Sequence, residues 1–185
     1  LDIRIVPLDD SHDRAVFSCG KPSIDEFLHN AAPSRGARFL AATRVVVPAD
    51  PQRSREVLGY YTLATHEYRD DELPLNIARK LGVKGLNRVP MILLAQHGVR
   101  RDLAGQGLGK TLVRNALELS LLLAQSASSV AVITDPVDAD AMTYYMTKFG
   151  FSDIGITSVT GQPRLFLATK TIEAAYRASQ QADAS

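Results

Sequence analysis

One stretch constrains the fold more than any other: "VPMILLAQHGVRRDLAGQGLGKTLVRNALELS", Val89 to Ser120. Its apolar run "MILLAQHGV" reads as a buried strand. After the polar insert "RRDLA", Gly105, Gly107 and Gly109 open a long helix in which Leu108, Leu112, Val113, Ala116 and Leu117 keep the i, i+4 rhythm of a face packed on a sheet. A strand that feeds such a helix through a glycine turn requires a layered sheet-and-helix domain.

The flanking segments extend this pattern. "IRIVPL" reads as a short strand, and in "PSIDEFLHNAA" Ile24, Phe27, Leu28 and Ala31 fall at helical spacing after Ser23 as N-cap. Two β-rich segments, "RFLAATRVVV" and "EVLGYYTLATHEY", are joined by the turn-forming "PADPQRSR". "LPLNIARKLG" is expected as a short helix stopped at Gly82, followed by the basic loop "VKGLNRVP". Downstream come a strand in "SSVAVIT", a helix in "DADAMTYYMTKF", a late strand in "PRLFLATKT" and a closing helix in "TIEAAYRAS". Strands dominate early and alternate with helices later, so the expected class is mixed α/β or α+β around one sheet. The chain is expected to form a single domain over residues 1–178, with a frayed tail over 179–185.

Charge excludes little. Against 20 acidic residues stand 21 Lys and Arg, so any nucleic-acid surface must come from local clusters. The single cysteine, Cys19, cannot pair within the chain, and its Cys-Gly context fits a structural turn better than a nucleophile. His12, His29 and His66 lack paired ligand spacing, so no metal site is expected. No apolar run approaches the roughly 18 residues of a membrane helix. The opening "LDIRIVPLDD" has neither region of a signal peptide, and a cytoplasmic location is expected.

The glycines admit several readings. Ala104, then Gly109-Lys110-Thr111, nearly matches the GxxxxGK[ST] loop of NTPases, with Asp135 as a possible magnesium ligand. However, "RRDLA" separates the loop from its strand, and Ala104 replaces the first glycine. A dinucleotide fingerprint fails because the glycines run GxGxG and the acid expected about 20 residues on falls in apolar "LLLAQ". In isolation the three glycines would be a flexible turn and helix start.

The order of elements resembles the GNAT acetyltransferases: strand, basic linker, Gly107-Leu108-Gly109, long helix, strand, Asp-rich turn, then "YYMTKFGF" from Tyr144 to Phe151. "FSCGKPSIDEFL", "VLGYYTL" and "LFLATKTIEAAY" extend the likeness over most of the chain, toward the GNAT toxins of bacterial toxin–antitoxin modules. This resemblance implies a GNAT-like domain with a mostly antiparallel central sheet, flanking helices and a splayed central strand pair. It implies transfer of acetyl from acetyl-CoA to the α-amine of aminoacyl-tRNA, blocking translation, with a ribbon-helix-helix antitoxin and a homodimer. A GNAT acting on a small-molecule or protein amine, or a non-catalytic acetyl-CoA-binding module, are the alternatives.

Site residues follow. The backbone of Ala104, Gly105, Gln106, Gly107, Leu108, Gly109 and Lys110 is expected at the CoA pyrophosphate, beside the positive end of the helix, with Lys110 adding a cation. His97, Gly98 and Val99 are expected along the pantetheine, Gly98 allowing close approach. Tyr145 is the expected proton donor to the CoA sulfur, although it stands five residues before Gly150 where the family has four. Ala104 occupies the family's Gln or Arg position. Arg79, Lys80, Lys84 and Arg88 are the expected tRNA contacts, with Arg35, Arg38, Arg44, Arg100 and Arg101 as a weaker set.

Overall fold

A computed structural model of the chain describes residues 2–159 and 161–183. The seven strands are β1 (Ile3–Pro7), β2 (Ala42–Pro48), β3 (Gly59–Tyr68), β4 (Val89–Val99), β5 (Ala131–Thr134), β6 (Ser152–Thr157) and β7 (Pro163–Ala168). They make one sheet in the order β1-β2-β3-β4-β5-β7-β6. The pairs β1/β2, β2/β3, β5/β7 and β6/β7 are antiparallel. The residues gather into two compact units: the stretch up to Ala64 with Leu94–Ala116, and Thr65–Leu93 with the stretch from Leu117 onward.

In the first unit, successive buried valines Val45, Val46 and Val47 show that β2 is covered on both faces. Phe17, Ile24, Leu28, Ala32, Val57 and Tyr60 pack with Val45 and Val47 into one core. Tyr60 sits fully inside it, its hydroxyl donating to the Ile24 carbonyl at 2.6 Å. The covering helix is not the single helix of the sequence reading. Helix α1 (Pro22–Glu26) widens into a π turn over Phe27–Ala31 and continues as α2 (Ala32–Ala37). Pro33 supplies the reason: it has no N–H to donate and its ring crowds the carbonyl one turn back, so the backbone widens just before it. Ser23 is not the N-cap. Pro22 takes the first helical position after Lys21, as its fixed φ favours. Asp25 reaches back instead, accepting from the Cys19 N–H and the Ser18 hydroxyl, both at 2.8 Å. The strand expected from Arg38 begins only at Ala42, because α2 ends in a turn with Phe39 at φ 55°.

In the second unit, α3 (Leu75–Leu81) stops at left-handed Gly82, and Ile77 and Ala78 join Tyr68, Met91, Ile133, Ile154 and Phe166 in its core. Helix α5 (Ala139–Phe149) is capped by Asp138, whose carboxylate accepts from Ala141 N–H at 2.9 Å. Helix α6 (Thr169–Asp183) starts from Thr169, whose hydroxyl donates to the Ser129 carbonyl at 2.8 Å, and stays helical to Asp183, inside the segment expected as a tail; Ala184 and Ser185 lie outside the described residues. The long helix α4 (Leu108–Ala127) begins in the first unit and ends in the second. Its expected apolar residues Leu108, Leu112, Val113, Ala116 and Leu117 are all buried.

A polar cluster sits beside the second core. Arg164 on β7 grips both Asp135 oxygens at 2.6 Å, while another of its nitrogens donates to the Tyr68 hydroxyl at 2.6 Å and lies 3.2 Å from His66 Nε2. Asp135 is therefore the acceptor of a bidentate guanidinium rather than a magnesium ligand. The two side chains are only 11% and 16% exposed, so removing one strands the other in a poorly solvated place. Replacing Arg164 by Ala is expected to cost about 3 kcal/mol, read as a lower urea midpoint, whereas Arg177→Ala, at an exposed pair with Glu173, shifts it little.

Candidate functional site

In the first unit, the end of β4 is pinned where it leaves the sheet. Arg100 N–H donates to the Leu58 carbonyl and Arg101 N–H to the Ser18 carbonyl, both at 2.9 Å. A single 3-10 turn, Arg101–Leu103, then brings the chain to an extended Ala104. Gly105 and Gly107 follow at φ 79° and 86°, a region where a side chain would be strained, although a Cβ at either position meets nothing within 4 Å. These glycines are there for backbone shape, and the space above them stays open. Ala104, Gly105, Gln106 and Gly107 are exposed, as is Lys110.

The first bond back into α4 runs from Thr111 N–H to the Gly107 carbonyl at 3.2 Å. The N–H groups of Leu108, Gly109 and Lys110 therefore precede the helical ladder and form its positive end. Unpaired N–H groups at the positive end of a helix, with a following lysine, are the features that attract anions in general. Thr111 spends its hydroxyl on the Gly107 carbonyl at 3.5 Å, which fits a helix residue and not a metal ligand.

His97 ties β4 to this turn through a hydrogen bond between its ring and the Gly109 backbone. Part of the residue's surface is open, but the ring is enclosed, and desolvation pushes its pKa down to about 4. It is neutral at physiological pH and a weak base. Gly98 serves packing: a Cβ there would stand 2.8 Å from Ile24 Cγ2 and 3.4 Å from Phe17 and Tyr60. The close approach expected of a ligand is thus made, on that face, by the chain's own core. Val99 closes the strand, half-buried.

In the second unit, Tyr145 lies on the inner face of α5, only 5% exposed, with Phe151 and Tyr144 edge-on at 5.5 and 5.8 Å. Its hydroxyl is hydrogen-bonded to the Thr134 side chain at the end of β5. Burial holds the phenol well above its ordinary pKa, so it keeps its proton. Tyr144 is half-buried and turned against Phe149. Helix α5 is α-helical throughout and closes with Gly150 N–H on Met146 and Phe151 N–H on Tyr145. The residue that lengthens the tyrosine-to-glycine spacing is therefore carried as ordinary helix, and Tyr145, not Met146, takes the inward position.

The expected RNA-contact residues share the second unit. Arg79 and Lys80 close α3, and Lys80 Nζ lies 5.1 Å from the Phe166 ring centre. Lys84 is exposed, while Arg88 is paired with Glu67 at 2.9 Å, which reduces its charge toward a partner. In the weaker set, Arg100 is bidentate to Asp102, and the Arg101 guanidinium lies against Gly20. Cys19 is held as a thiol, pushed up to about 11 by burial and by Asp25, which suits the structural reading. Sequence reasoning missed the Arg164 cluster and Thr134. Their partners lie 29 to 98 residues away for Arg164, beyond any local pattern.

Among the described residues no group of three or more His, Cys, Asp or Glu is arranged around a metal position, and no helix is long and apolar enough to cross a membrane.

No protein-family model matches the chain. It is 28% identical to a tRNA-acetylating toxin of Mycobacterium tuberculosis over 75% of this chain and 78% of that one. It is 26% identical to a probable toxin TacT of Sinorhizobium fredii over 91% and 92%. AtaT, solved with acetyl-methionyl-tRNAfMet, superposes with TM-score 0.81 over 95% of this chain and 99% of its own, at 25% identity. A tyrosine-to-phenylalanine variant of AtaT, bound to the C-terminus of the antitoxin AtaR and to acetyl-CoA, superposes with TM-score 0.75 over 95% and 98%, at 23% identity.

The His97 environment predicts an acid-side instability. The unfolded imidazole titrates near 6.5 and the folded one near 4, so between these values the unfolded chain binds more protons and stability falls as pH falls. His97→Asn should flatten the decline in Tm between pH 6.5 and 4; an unchanged slope would show that the ring is not the titrating group. With its two-glycine turn opening α4, its seven-stranded mostly antiparallel sheet and these relatives, the chain is similar in sequence and fold to the GNAT-fold acetyltransferase toxins of toxin–antitoxin modules.

Proposed function

We propose that this chain transfers the acetyl group of acetyl-CoA to the α-amine of aminoacyl-tRNA and thereby blocks translation. The observation that carries the reading is the turn from Ala104 to Lys110, where two left-handed glycines and three N–H groups ahead of the helical ladder leave room and positive potential for a pyrophosphate. The likeness to a tRNA-acetylating toxin and to AtaT supports the choice of acceptor and donor.

Acetyl-CoA, when bound, supplies a thioester-activated acetyl group. The backbone of Gly105 to Lys110 holds the pyrophosphate, and Lys110 adds charge from an exposed position. Ala104 stands where relatives of this fold carry Gln or Arg, so this position contributes backbone alone. The end of β4 at His97, Gly98 and Val99 offers backbone groups to the pantetheine arm and the thioester carbonyl. Tyr145 keeps its proton because burial raises its pKa, and its O–H donates toward the departing sulfur. His97 is too weakly basic to take the proton of an ammonium. The α-amine, with an ordinary pKa near 8, is available in neutral form close to physiological pH and passes its proton to water.

Arg79, Lys80, Lys84 and Arg88 contact tRNA phosphates, with Arg88 weakened by Glu67. The partner that silences the toxin is a ribbon-helix-helix antitoxin. The protein acts as a homodimer in the cytoplasm.

Acetylation of charged tRNA, followed by mass spectrometry of the released aminoacyl group, tests the reading. Tyr145→Phe should lower kcat by about 100-fold or more with little change in acetyl-CoA affinity, and Tyr144→Phe far less. Transfer to polyamines or peptides but not to charged tRNA would overturn the acceptor. Gly107→Ala should weaken acetyl-CoA binding by at least tenfold, because the turn loses its left-handed residue; undiminished affinity would remove the turn from the site.

A further inference from the structure

A polar cleft of about 420 Å³ lies in the first unit, lined by His12, Asp13 and Arg14 from the β1–α1 connection, by His29 and Asn30 from the π turn, and by Arg55. Its composition is unlike that of a packing defect. The Arg14 Nη1 nitrogen is buried with no hydrogen-bond partner among the described residues, a state that is costly for a guanidinium unless something answers its charge. Arg55 is anchored through its Nε, which donates to the Ser11 carbonyl at 2.8 Å. His29 is fixed by Nε2 on the Phe17 carbonyl at 2.9 Å, and His12, 7% exposed, by contacts of its Nδ1 with Asp9. Two guanidinium groups and one carboxylate, that of exposed Asp13, therefore line the cleft, so positive charge is in excess there.

We propose that this cleft is a phosphate-binding subsite, distinct from the turn at Gly105 to Lys110. A carboxylate is satisfied by one guanidinium fork, whereas donors arriving from several sides, on a loop, a helix and the segment before β3, suit the three or four acceptor oxygens of a phosphate. The two sites share a wall: Phe17 O holds His29 on the cleft side, and the next residue, Ser18, accepts from Arg101 N–H at the start of the anion turn. The phosphate comes from the RNA backbone of the substrate, a choice that rests on the proposed function, or from a free phosphate monoester, and the two sources are separable by experiment.

The test uses the full chain with two probes: uncharged tRNA, titrated by fluorescence anisotropy over a range of KCl concentrations, and 5′-AMP or inorganic phosphate, titrated against the NMR signals of His12 and His29. If RNA supplies the phosphate, Arg14→Gln and Arg55→Gln each weaken tRNA binding several-fold and reduce the slope of log K against log salt by about one. Asp13→Asn tightens it, a change of sign that a merely destabilised fold does not produce. If a free monoester is the ligand, the histidine signals saturate with 5′-AMP or phosphate in wild type and not in Arg14→Gln, while tRNA affinity is unmoved. Wild-type levels of both responses in the variants, or none in the wild type, overturn the subsite. Failure to acetylate charged tRNA with the cleft response intact would overturn the proposed function and leave this site standing.

Discussion

The turn that converts the end of β4 into the start of α4 is the constraint on which the first unit depends. The strand cannot simply run on, because Arg100 and Arg101 give their N–H groups to Leu58, just before β3, and to Ser18, in the loop before α1. With both N–H groups committed, the chain must reverse within a few residues, and left-handed Gly105 and Gly107 accomplish it. Moving either anchor displaces the N-terminus of α4, and with it buried Leu108, Leu112 and Val113. The unpaired N–H groups at the helix start are thus a by-product of a folding requirement, since the sharp reversal is what exposes them.

Gly98 and His97 show how closely that turn is coupled to the core behind it. Gly98 lacks a side chain because Ile24, Phe17 and Tyr60 occupy the space, and Tyr60 in turn holds α1 through the Ile24 carbonyl. His97, on the adjacent position and hence the opposite face of the strand, reaches the Gly109 backbone. One face of β4 fixes the covering helix, and the other fixes the first turn of α4. A ring that had to carry charge there would lose the enclosure that makes it a good spacer, which is why its depressed pKa belongs to structure more than to proton transfer.

What was legible in the sequence was periodic or local. The apolar stripe of α4, the Gly82 stop and the glycine turn announce themselves within a few residues, and each stands where the pattern put it. The helix after Cys19 was legible as a helix but not in its detail, since the rhythm of Ile24, Phe27, Leu28 and Ala31 cannot reveal that Pro33 widens the backbone ahead of it. Strand β6 escaped notice because "SDIGIT" is short and contains Gly155 at φ 79°, and its partner register on β7 is irregular. Arg164 escaped for a different reason: its role exists only once β3, β5 and β7 are assembled.

The position of Tyr145 shows which kind of motif evidence is physical. Counting back from Gly150 selects Met146, which is exposed, whereas the helix cap at Asp138 and the regular path of α5 put Tyr145 inward against Thr134. The spacing rule is a surrogate for the direction of a side chain, and a helix turns about 100° per residue, so one added residue before the C-cap redirects everything counted from that end. Counted from the N-cap, nothing changes. The Asp138 cap is therefore the proper origin for locating the phenol: it sets the helical phase relative to β5, whose last residue, Thr134, is hydrogen-bonded to the hydroxyl. Asp135, immediately beyond, is clamped by Arg164 from 29 residues away, so the strand end that positions the phenol is itself held by an interaction that no local pattern encodes.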